Sequence, residues 1–245
     1  MIIAISNQKG GVNKTTITFN LGYLLAEEGK KTLLIDADPQ GSLTTIFNAD
    51  NRAKNIYNVL LEQEPLQNTI IEVEESLHLL SGGIELSNFE VNVATKKGRE
   101  NCFKEMLGEI KGQYDYILID SPPSLGLLLI NILNASERVI IPTQTDYLSY
   151  KGLDLLLHTI ARVKETFNRE LKIMGVVATG YDGRTLHSKE ILELIEGMDV
   201  LGIITNSVKV KDATLAGEPL HRYDKKHKIV EQYIKIASEV LNDGK

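Results

Sequence analysis

The sequence has little of what marks a secreted, membrane-spanning or metal-cluster protein. Its 245 residues contain a single cysteine, Cys102, which cannot form a disulfide within the chain, so a reducing, cytosolic setting is expected. One cysteine also excludes an iron–sulfur or metal site built from several thiolates of one chain. The longest apolar run, residues 125–133, is far shorter than the roughly 18 residues that a membrane span needs. Met1 leads into an apolar stretch without a basic region, so no secretion signal is expected and a soluble protein is predicted.

An excess of positive charge is also missing. The 27 Lys and Arg residues face 33 Asp and Glu residues, which leaves a net charge of −6. On this total the chain is expected to bind nucleic acid poorly, because attraction to phosphates supplies most nonspecific affinity. The 42% hydrophobic and 24% charged residues are ordinary for a globular protein and exclude collagen, low-complexity disorder and a disulfide scaffold.

The chain shows no internal repeat, no Pro- or Ser-rich linker and no long change in composition. Residues 1–245 are therefore predicted to form a single domain, which is long enough to bury a sizeable core.

Short runs rich in Val, Ile and Leu alternate along the chain with longer helical patterns. Strands are predicted at residues 2–6, 32–36, 77–81, 116–120, 138–142, 172–178 and 200–205. Helices are predicted at residues 14–28, 85–94, 100–110, 125–134, 152–167, 188–196 and 228–241. Strands that are apolar on both faces are typical of a parallel sheet covered by helices. The pattern predicts an α/β fold with a doubly wound, mostly parallel sheet flanked by helices.

One loop between the first strand and the first helix carries the strongest chemical signal. It reads Gln8-Lys9-Gly10-Gly11-Val12-Asn13-Lys14-Thr15-Thr16. A glycine-containing turn here lets backbone N–H groups surround a phosphate, and the helix N-terminus adds positive partial charge. Lys14 is expected to reach the β- and γ-phosphates, and the Thr15 hydroxyl to bind Mg²⁺. The alternative is an ordinary strand–helix loop that is rich in Gly and Lys.

The loop departs from the standard phosphate-binding pattern G-x-x-x-x-G-K-[ST], because Gln8 and Asn13 stand where that pattern has glycine. It resembles the deviant Walker A motif, Lys-Gly-Gly-x-Gly-Lys-Thr, of the ParA/MinD family of ATPases. Further similar segments are residues 33–41, residues 114–123, which look like the Walker B motif, residues 141–153, and residues 206–209 with Pro219. The resemblance points to the ParA DNA-segregation ATPases, in a short form without an N-terminal helix-turn-helix domain, and implies a P-loop NTPase fold of the deviant Walker A type.

The resemblance implies a role for individual residues of the loop. ATP would be bound by the segment Lys9, Gly10, Gly11, Val12, Asn13, Lys14, Thr15 and Thr16. Lys9 resembles the signature lysine that reaches the partner's phosphates in an ATP-sandwich homodimer. Gly10 would lie where the two protomers approach, so both residues are expected at the dimer interface.

Three aspartates at strand ends complete the implied site. Asp38 would orient the attacking water and so act in catalysis with Lys9 and Lys14. Mg²⁺ would be held by Thr15 and anchored by Asp120, with Asp36 supporting the metal or the switch region. The alternative for Asp36 and Asp120 is that strand-end carboxylates often cap the turns that follow them.

Asn13 is the main departure from the family pattern, which has Gly immediately before the P-loop lysine. Asn tolerates a left-handed backbone better than most residues, so the loop can still form. Its side chain nevertheless occupies space that Gly leaves empty. The hypothesis is that nucleotide binding or hydrolysis is weakened.

Basic residues concentrate near the C-terminus in spite of the negative total. Residues 209–228 contain six Lys and Arg against three Asp and Glu, and local charge sets the field that DNA meets. The predicted DNA-binding residues are Lys209, Lys211, Arg222, Lys225 and Lys226. The alternative is a solvated surface loop. A MinD-like membrane helix is disfavoured, because Glu231, Glu239 and Asp243 dilute the basic charge of the last helix.

The sequence thus predicts an ATP- and Mg²⁺-dependent switch for plasmid or chromosome segregation. The ATP-bound homodimer would bind DNA nonspecifically on the nucleoid, and a ParB-like centromere-binding protein would stimulate slow hydrolysis and release. Two alternatives remain: a metabolic P-loop enzyme of the dethiobiotin synthetase type, and a nucleotide- or DNA-binding module that does not hydrolyse ATP because of Asn13.

Overall fold

The computed structural model describes residues 1–49, 54–195 and 197–244. Its strands are β1 (Ile2–Ile5), β2 (Thr32–Asp36), β3 (Ile70–Glu74), β4 (Leu77–Leu80), β5 (Tyr116–Asp120), β6 (Arg138–Gln144), β7 (Lys172–Tyr181) and β8 (Val200–Thr205). Its α-helices are α1 (Lys14–Glu27), α2 (Ser42–Ile46), α3 (Ile56–Glu62), α4 (Phe89–Asn92), α5 (Cys102–Gly108), α6 (Leu127–Ala135), α7 (Tyr147–Thr166), α8 (Leu186–Ile195), α9 (Val208–Leu215), α10 (Leu220–Tyr223) and α11 (Lys228–Asp243).

These strands form one sheet in the order β3-β4-β2-β5-β1-β6-β7-β8. Every neighbouring pair is parallel except β3 and β4, which are antiparallel. The helices α1, α9 and α11 pack against one face of the sheet, and α3 to α8 pack against the opposite face. Each set of helices shares an apolar core with the sheet. The predicted doubly wound, mostly parallel α/β fold is confirmed.

The sequence pattern misses β3 and several short helices. The strand β3 lies at the edge of the sheet, is only half-buried, and contains Glu72 and Glu74 within its five residues. The pattern of continuous apolar residues that identifies the central strands is therefore absent from it. The predicted helix at residues 85–94 is a 3₁₀ segment, Ile84–Asn88, followed by the single turn of α4.

Two predicted helices begin too late. The helix α7 begins at Tyr147 rather than at residue 152, because the Asp146 carboxylate accepts a hydrogen bond from the Ser149 backbone N–H and caps the helix. Similarly, α8 begins at Leu186 rather than at residue 188. The last residue of that predicted helix, Glu196, lies outside the described residues.

The strand order brings three strand ends together at one edge of the sheet. The strand β5 lies between β1 and β2, so that Asp120 is paired in register with Ile5 on one side and with Asp36 on the other. The loops that follow β1, β2 and β5 therefore emerge side by side. In open α/β sheets, ligands bind outside the carboxyl ends of the strands, where this crevice lies.

Candidate functional site

The loop between β1 and α1 is held in place by the neighbouring strands. Two of its residues have left-handed backbones, Gly11 at φ 74° and Asn13 at φ 68°. The Gly11 carbonyl accepts a hydrogen bond from Gln144 Nε2 at 3.1 Å, and the Val12 carbonyl accepts one from Thr179 Oγ1 at 3.4 Å. The ends of β6 and β7 thus fix the backbone of the loop.

Asn13 adopts the left-handed conformation that the sequence predicts it to tolerate. With φ 68° and ψ 24° it is the residue immediately before α1, and its side chain makes no capping hydrogen bond. The residue is half-buried and lines the cleft beside the loop. The backbone of the loop is therefore formed without glycine at this position, while an amide side chain stands at the edge of the cleft.

Lys14 is the first residue of α1 and lies almost entirely inside the protein, with 6% of its surface exposed. Its Nζ is 3.5 Å from the Lys9 carbonyl oxygen. Burial lowers the pKa of Lys14, and the nearby carboxylates of Asp120 and Asp38 oppose that shift. An anionic ligand in the cleft would therefore stabilise the charged form of the Lys14 amine.

The open cleft beside the loop has a volume of about 480 Å³. It is lined by Gly10, Gly11, Asn13, Lys14, Thr15, Thr16, Asp38, Gln40, Ser42, Thr45, Ile46, Pro123 and Thr214. The structure therefore brings Asp38 to the same cavity as most of the predicted nucleotide-binding loop.

Thr15 and Asp120 form a direct pair beneath the loop. Thr15 Oγ1 donates a hydrogen bond of 2.6 Å to Asp120 Oδ2, while Asp120 Oδ1 is buried and has no hydrogen-bond partner. Burial, and next the neighbouring Asp36 carboxylate, raise the pKa of Asp120 well above its ordinary value. A hydroxyl oxygen and a buried carboxylate with an unused oxygen are ligands of the kind that Mg²⁺ binds. The residues present thus fit a magnesium ion.

Asp36 is fully buried, and both of its carboxylate oxygens accept hydrogen bonds. Oδ2 accepts from the Thr44 backbone N–H and from Thr44 Oγ1, each at 2.8 Å, and Oδ1 accepts from the Asp38 N–H at 3.3 Å. Burial raises the pKa of Asp36 to about 6. Asp36 therefore ties the segment that carries Asp38 to the end of β2. Asp36 is among the predicted site residues, whereas no motif in the sequence singles out Thr44.

Lys9 precedes the cleft-lining residue Gly10 and is bound within its own chain. Its Nζ donates hydrogen bonds to Asp146 Oδ2 at 2.8 Å, Ser149 Oγ at 2.9 Å and Gln144 Oε1 at 3.0 Å. Burial alone would raise the pKa of Asp146, but the hydrogen bonds from Lys9 and Ser149 outweigh it and lower the pKa. These partners lie in the segment 141–153 that resembles the family, but no motif in the sequence assigns them a role.

Gly10 is exposed next to Lys9. A Cβ atom added at this position would meet no heavy atom within 4 Å of the same chain. The absence of a side chain at Gly10 is therefore not required by packing within the protomer.

The basic residues near the C-terminus fall into two groups. Lys209 and Lys211 on α9, and Lys225 and Lys226 between α10 and α11, are exposed to solvent. Arg222 is also exposed, but its side chain contacts two carboxylates, Glu27 at 2.6 Å and Glu74 at 2.5 Å, and lies 4.8 Å from the centre of the Tyr23 ring. The Arg222 charge is thus compensated within the chain.

The part of the chain that the structure describes offers neither a clustered metal site nor a membrane-spanning helix. No group of three or more His, Cys, Asp and Glu side chains comes together there as a metal site. Within the same residues, no helix combines the length and the apolar character needed to cross a membrane.

Comparison with known proteins places the chain among P-loop ATPases. A family model described as an AAA domain matches residues 1–173. The sporulation initiation inhibitor protein Soj of Bacillus subtilis is 38% identical over 251 residues, which cover 99% of this chain and 99% of Soj.

Two solved structures resemble the whole chain. A protein from Borrelia burgdorferi B31, described as a plasmid partition protein and bound to AMPPNP, has a TM-score of 0.87 and 29% identity over 99% of this chain and 98% of its own. Cobyrinic acid a,c-diamide synthase from Mycobacterium smegmatis, with a bound ATP analogue and magnesium, has a TM-score of 0.86 and 34% identity over 100% of this chain and 95% of its own.

Proposed function

We propose, from the premise that this chain belongs to the AAA-domain family of ParA- and Soj-type ATPases, that it is an ATP-dependent switch for plasmid or chromosome segregation. The observation that carries the proposal is the Thr15–Asp120 pair: Thr15 lines the cleft together with Lys14, and its hydroxyl donates to the buried Asp120 carboxylate, which keeps one oxygen unused. The names of the relatives, Soj and plasmid partition protein, supply the process.

In this proposal the nucleotide lies along the segment Lys9, Gly10, Gly11, Val12, Asn13, Lys14, Thr15 and Thr16. Backbone N–H groups of the loop and the N-terminus of α1 surround the phosphates, and Lys14 places its charge among them. Thr15 and Asp120 would hold Mg²⁺. When bound, Mg²⁺ supplies positive charge to phosphate oxygens. The buried Asp120 carboxylate supplies a nearby negative charge that favours the cation.

The residues assigned to hydrolysis position the reacting groups and form no covalent bond with the nucleotide. Asp38 orients a water molecule, and its own position depends on Asp36, which accepts the Asp38 N–H. Lys9 of one protomer acts on the partner's phosphates once it leaves Asp146, Ser149 and Gln144. Gly10 allows the two loops to approach, so that the active state is a homodimer.

DNA binding is assigned to the exposed lysines Lys209, Lys211, Lys225 and Lys226. A dimer presents this group twice and so contacts more phosphates, which offsets the net charge of −6. Arg222, predicted with the others, is expected to contribute less because Glu27 and Glu74 already neutralise it.

A ParB-like centromere-binding protein is the proposed activator of slow basal hydrolysis. Residues 1–245 would act as a single P-loop domain in the cytoplasm, associated with the nucleoid and not with a membrane.

The resemblance to a cobyrinic acid a,c-diamide synthase supports a second candidate, a metabolic ATP-dependent enzyme on the same fold. Its 34% identity is close to the 38% of Soj, so the P-loop alone does not separate the two functions. They differ in what changes the rate of ATP hydrolysis: DNA and a ParB-like protein in the first case, cobyrinic acid in the second.

The test compares ATP hydrolysis by the full chain in the presence and absence of Mg²⁺, DNA, ParB-like partner and cobyrinic acid. DNA binding is measured with ATP over a series of salt concentrations. The proposal expects Mg²⁺-dependent hydrolysis, stimulation by DNA and partner together, and ATP-dependent binding that weakens steeply with salt. Lys14→Ala serves as the control that lacks hydrolysis. Production of cobyrinic acid a,c-diamide without ATP-dependent DNA binding would establish the second candidate and overturn the first.

The DNA-binding residues can be tested separately from the nucleotide site. Alanine at Lys225 and Lys226 together is expected to lower DNA affinity about tenfold and to reduce its salt dependence, with no change in thermal stability. Arg222→Ala is the comparison: it should lower the Tm by removing the contacts to Glu27, Glu74 and Tyr23, and reduce DNA affinity less. The reverse order of effects on DNA affinity would contradict the assignment.

A further inference from the structure

One buried hydroxyl connects the cleft to a loop that takes no part in the nucleotide motifs. Thr44, in the short helix α2, is fully buried and lies between the end of β2 and the loop that follows β4. Its Oγ1 accepts a hydrogen bond of 2.9 Å from the Gly82 N–H and is 2.8 Å from Asp36 Oδ2. The Thr44 hydroxyl donates its own proton to Asp36 Oδ2, which is closer than the other acceptor within reach, the Gly82 carbonyl oxygen at 3.4 Å.

Gly82 is restricted to glycine by close packing. A Cβ atom at this position would lie 2.3 Å from the Asp36 carbonyl oxygen and 3.1 Å from Asp36 Cγ. The loop after β4 therefore presses its backbone directly against Asp36. The same loop also packs against the start of α2, because the Gly82 carbonyl oxygen would lie 3.6 Å from a Cβ atom added at Gly41.

The contacts then lead from Asp36 to the surface of the cleft. Asp36 Oδ1 accepts the Asp38 N–H, and Asp38 Oδ1 accepts the Gln40 N–H at 3.0 Å. The Asp38 carbonyl accepts the Gly41 N–H at 2.9 Å and closes the turn. Asp38 lines the cleft, whereas Thr44 and Gly82 do not.

We infer that Thr44, supported by Gly82, is a positioning residue for ATP hydrolysis: it fixes Asp36 and through it the turn that presents Asp38 to the cleft. The inference rests on the proposed function for the reaction itself. A buried polar group that is fully paired makes its surroundings rigid, and a small displacement of a water-orienting carboxylate slows a reaction strongly. Thr44 is expected to affect the rate of turnover rather than the binding of ATP.

The test uses Thr44→Val, which keeps the shape and removes the hydroxyl, and Thr44→Ser, which keeps the hydroxyl. For Thr44→Val the expected result is a kcat at least about tenfold lower with KM for ATP changed by less than about threefold. Thr44→Ser is expected to retain kcat within about threefold. The matched control is Thr69→Val, because Thr69 is also buried and its hydroxyl donates a single hydrogen bond of 2.8 Å, to the Leu66 carbonyl, away from the cleft.

A second measurement needs no nucleotide. Hydrogen–deuterium exchange of the nucleotide-free chain is expected to be faster in residues 36–44 of Thr44→Val than of the wild type, and unchanged in α1. If Thr44→Val does not fold, Thr44→Ala removes the same hydroxyl with a smaller side chain and is compared with Thr44→Ser in its place.

The outcomes separate this inference from the proposed function. Absence of ATPase activity in the wild type would refute the proposed function. In that case faster exchange in residues 36–44 of Thr44→Val would still support the positioning role of Thr44, and unchanged exchange would overturn it. An active wild type whose Thr44→Val variant keeps its kcat, or loses no more than Thr69→Val, would overturn the inference. Failure of Thr44→Ser to restore kcat would do the same.

Discussion

Lys9 Nζ lies 2.8 Å from Asp146 Oδ2 within the same chain, although 137 positions separate the two residues. The lysine proposed to act on a partner's phosphates is thus already bound in the single protomer. Both side chains are about one-third exposed, so the pair is partly screened by water. A pair of this kind contributes no more than about 1 kcal/mol, which is small enough for phosphate contacts to replace.

Asp146→Asn is expected to favour the ATP-bound dimer, because it removes the charge that holds Lys9 in its own chain. Asn is as good a helix N-cap as Asp, so α7 should still begin at Tyr147. The expected effect is a dimer dissociation constant about two- to fivefold lower, measured by sedimentation with a non-hydrolysable ATP analogue. Glu64→Gln, which breaks the Lys54–Glu64 pair away from the loop, is the control. An unchanged or weaker dimer in Asp146→Asn would contradict this role of the pair.

Asn13→Gly is expected to strengthen nucleotide binding or turnover. The left-handed backbone at φ 68° suits Gly, and the substitution removes the amide that stands at the edge of the cleft. We expect ATP affinity or kcat to rise about three- to tenfold, while the free energy of unfolding changes by less than about 1 kcal/mol. Calorimetric titration with ATP and steady-state hydrolysis measure the two quantities. Equal affinity and turnover in both proteins would refute the hypothesis that Asn13 weakens the site.

The central part of the fold follows from the sequence because its strands are buried on both faces. β1, β2 and β5 are continuous apolar runs with acidic residues at two of their ends, and parallel pairing puts Asp36 beside Asp120. The edge strand β3 has no such run, because half-exposed positions accept Glu. The start of α7 differs from the predicted one because Asp146 and Ser149 form a capping pair ahead of Gly152.

The structure brings most of the consecutive loop residues that the sequence singles out to one cleft, whereas contacts between residues distant in the sequence could not be predicted from it. The loop from Lys9 to Thr16 and the strand-end aspartates are read directly from the sequence. No local pattern places Asp146 on Lys9, or Gly82 on Asp36, since these contacts depend on the strand order. The sequence does not show why residue 82 must be glycine, because the reason is the close approach of the Asp36 backbone in the folded protein.

Gly10→Val is expected to abolish ATP-dependent dimers without affecting the protomer. The structure has no heavy atom within 4 Å of an added Cβ, so the free energy of unfolding should change by less than about 0.5 kcal/mol. The side chain would instead meet the second loop in the dimer. Molar mass by light scattering with a non-hydrolysable ATP analogue, together with thermal unfolding, measures both effects.

Gly22→Ala provides the opposite pattern as a control for Gly10→Val. Its added Cβ would lie 2.6 Å from Leu34 Cδ2 in the core, so it should lower the Tm and leave the ability to dimerise intact at low temperature. A dimer of normal affinity in Gly10→Val would show that Gly10 does not lie at the interface.

Asp120→Asn is expected to stabilise the nucleotide-free protein while removing its activity. Burial and the Asp36 carboxylate raise the pKa of Asp120, which means that folding disfavours its ionised form. An Asn side chain keeps an oxygen for the Thr15 hydroxyl and leaves a neutral amide, instead of a charged oxygen, without a partner. We expect a Tm about 2–6 °C higher in EDTA and a kcat lower by about 10²-fold or more with Mg²⁺.

The dependence on pH identifies the cause of that stabilisation. For a carboxyl group whose pKa is raised in the folded state, the native protein binds more protons than the unfolded chain above the ordinary pKa of about 3.8, so stability falls as pH rises. Asp120→Asn lacks this loss, and its advantage in Tm over the wild type should therefore grow as the pH rises above about 3.8 towards the raised pKa of the folded state. A difference in Tm that does not change with pH, or a variant less stable than the wild type, would show that the ionised Asp120 carboxylate does not destabilise the nucleotide-free protein.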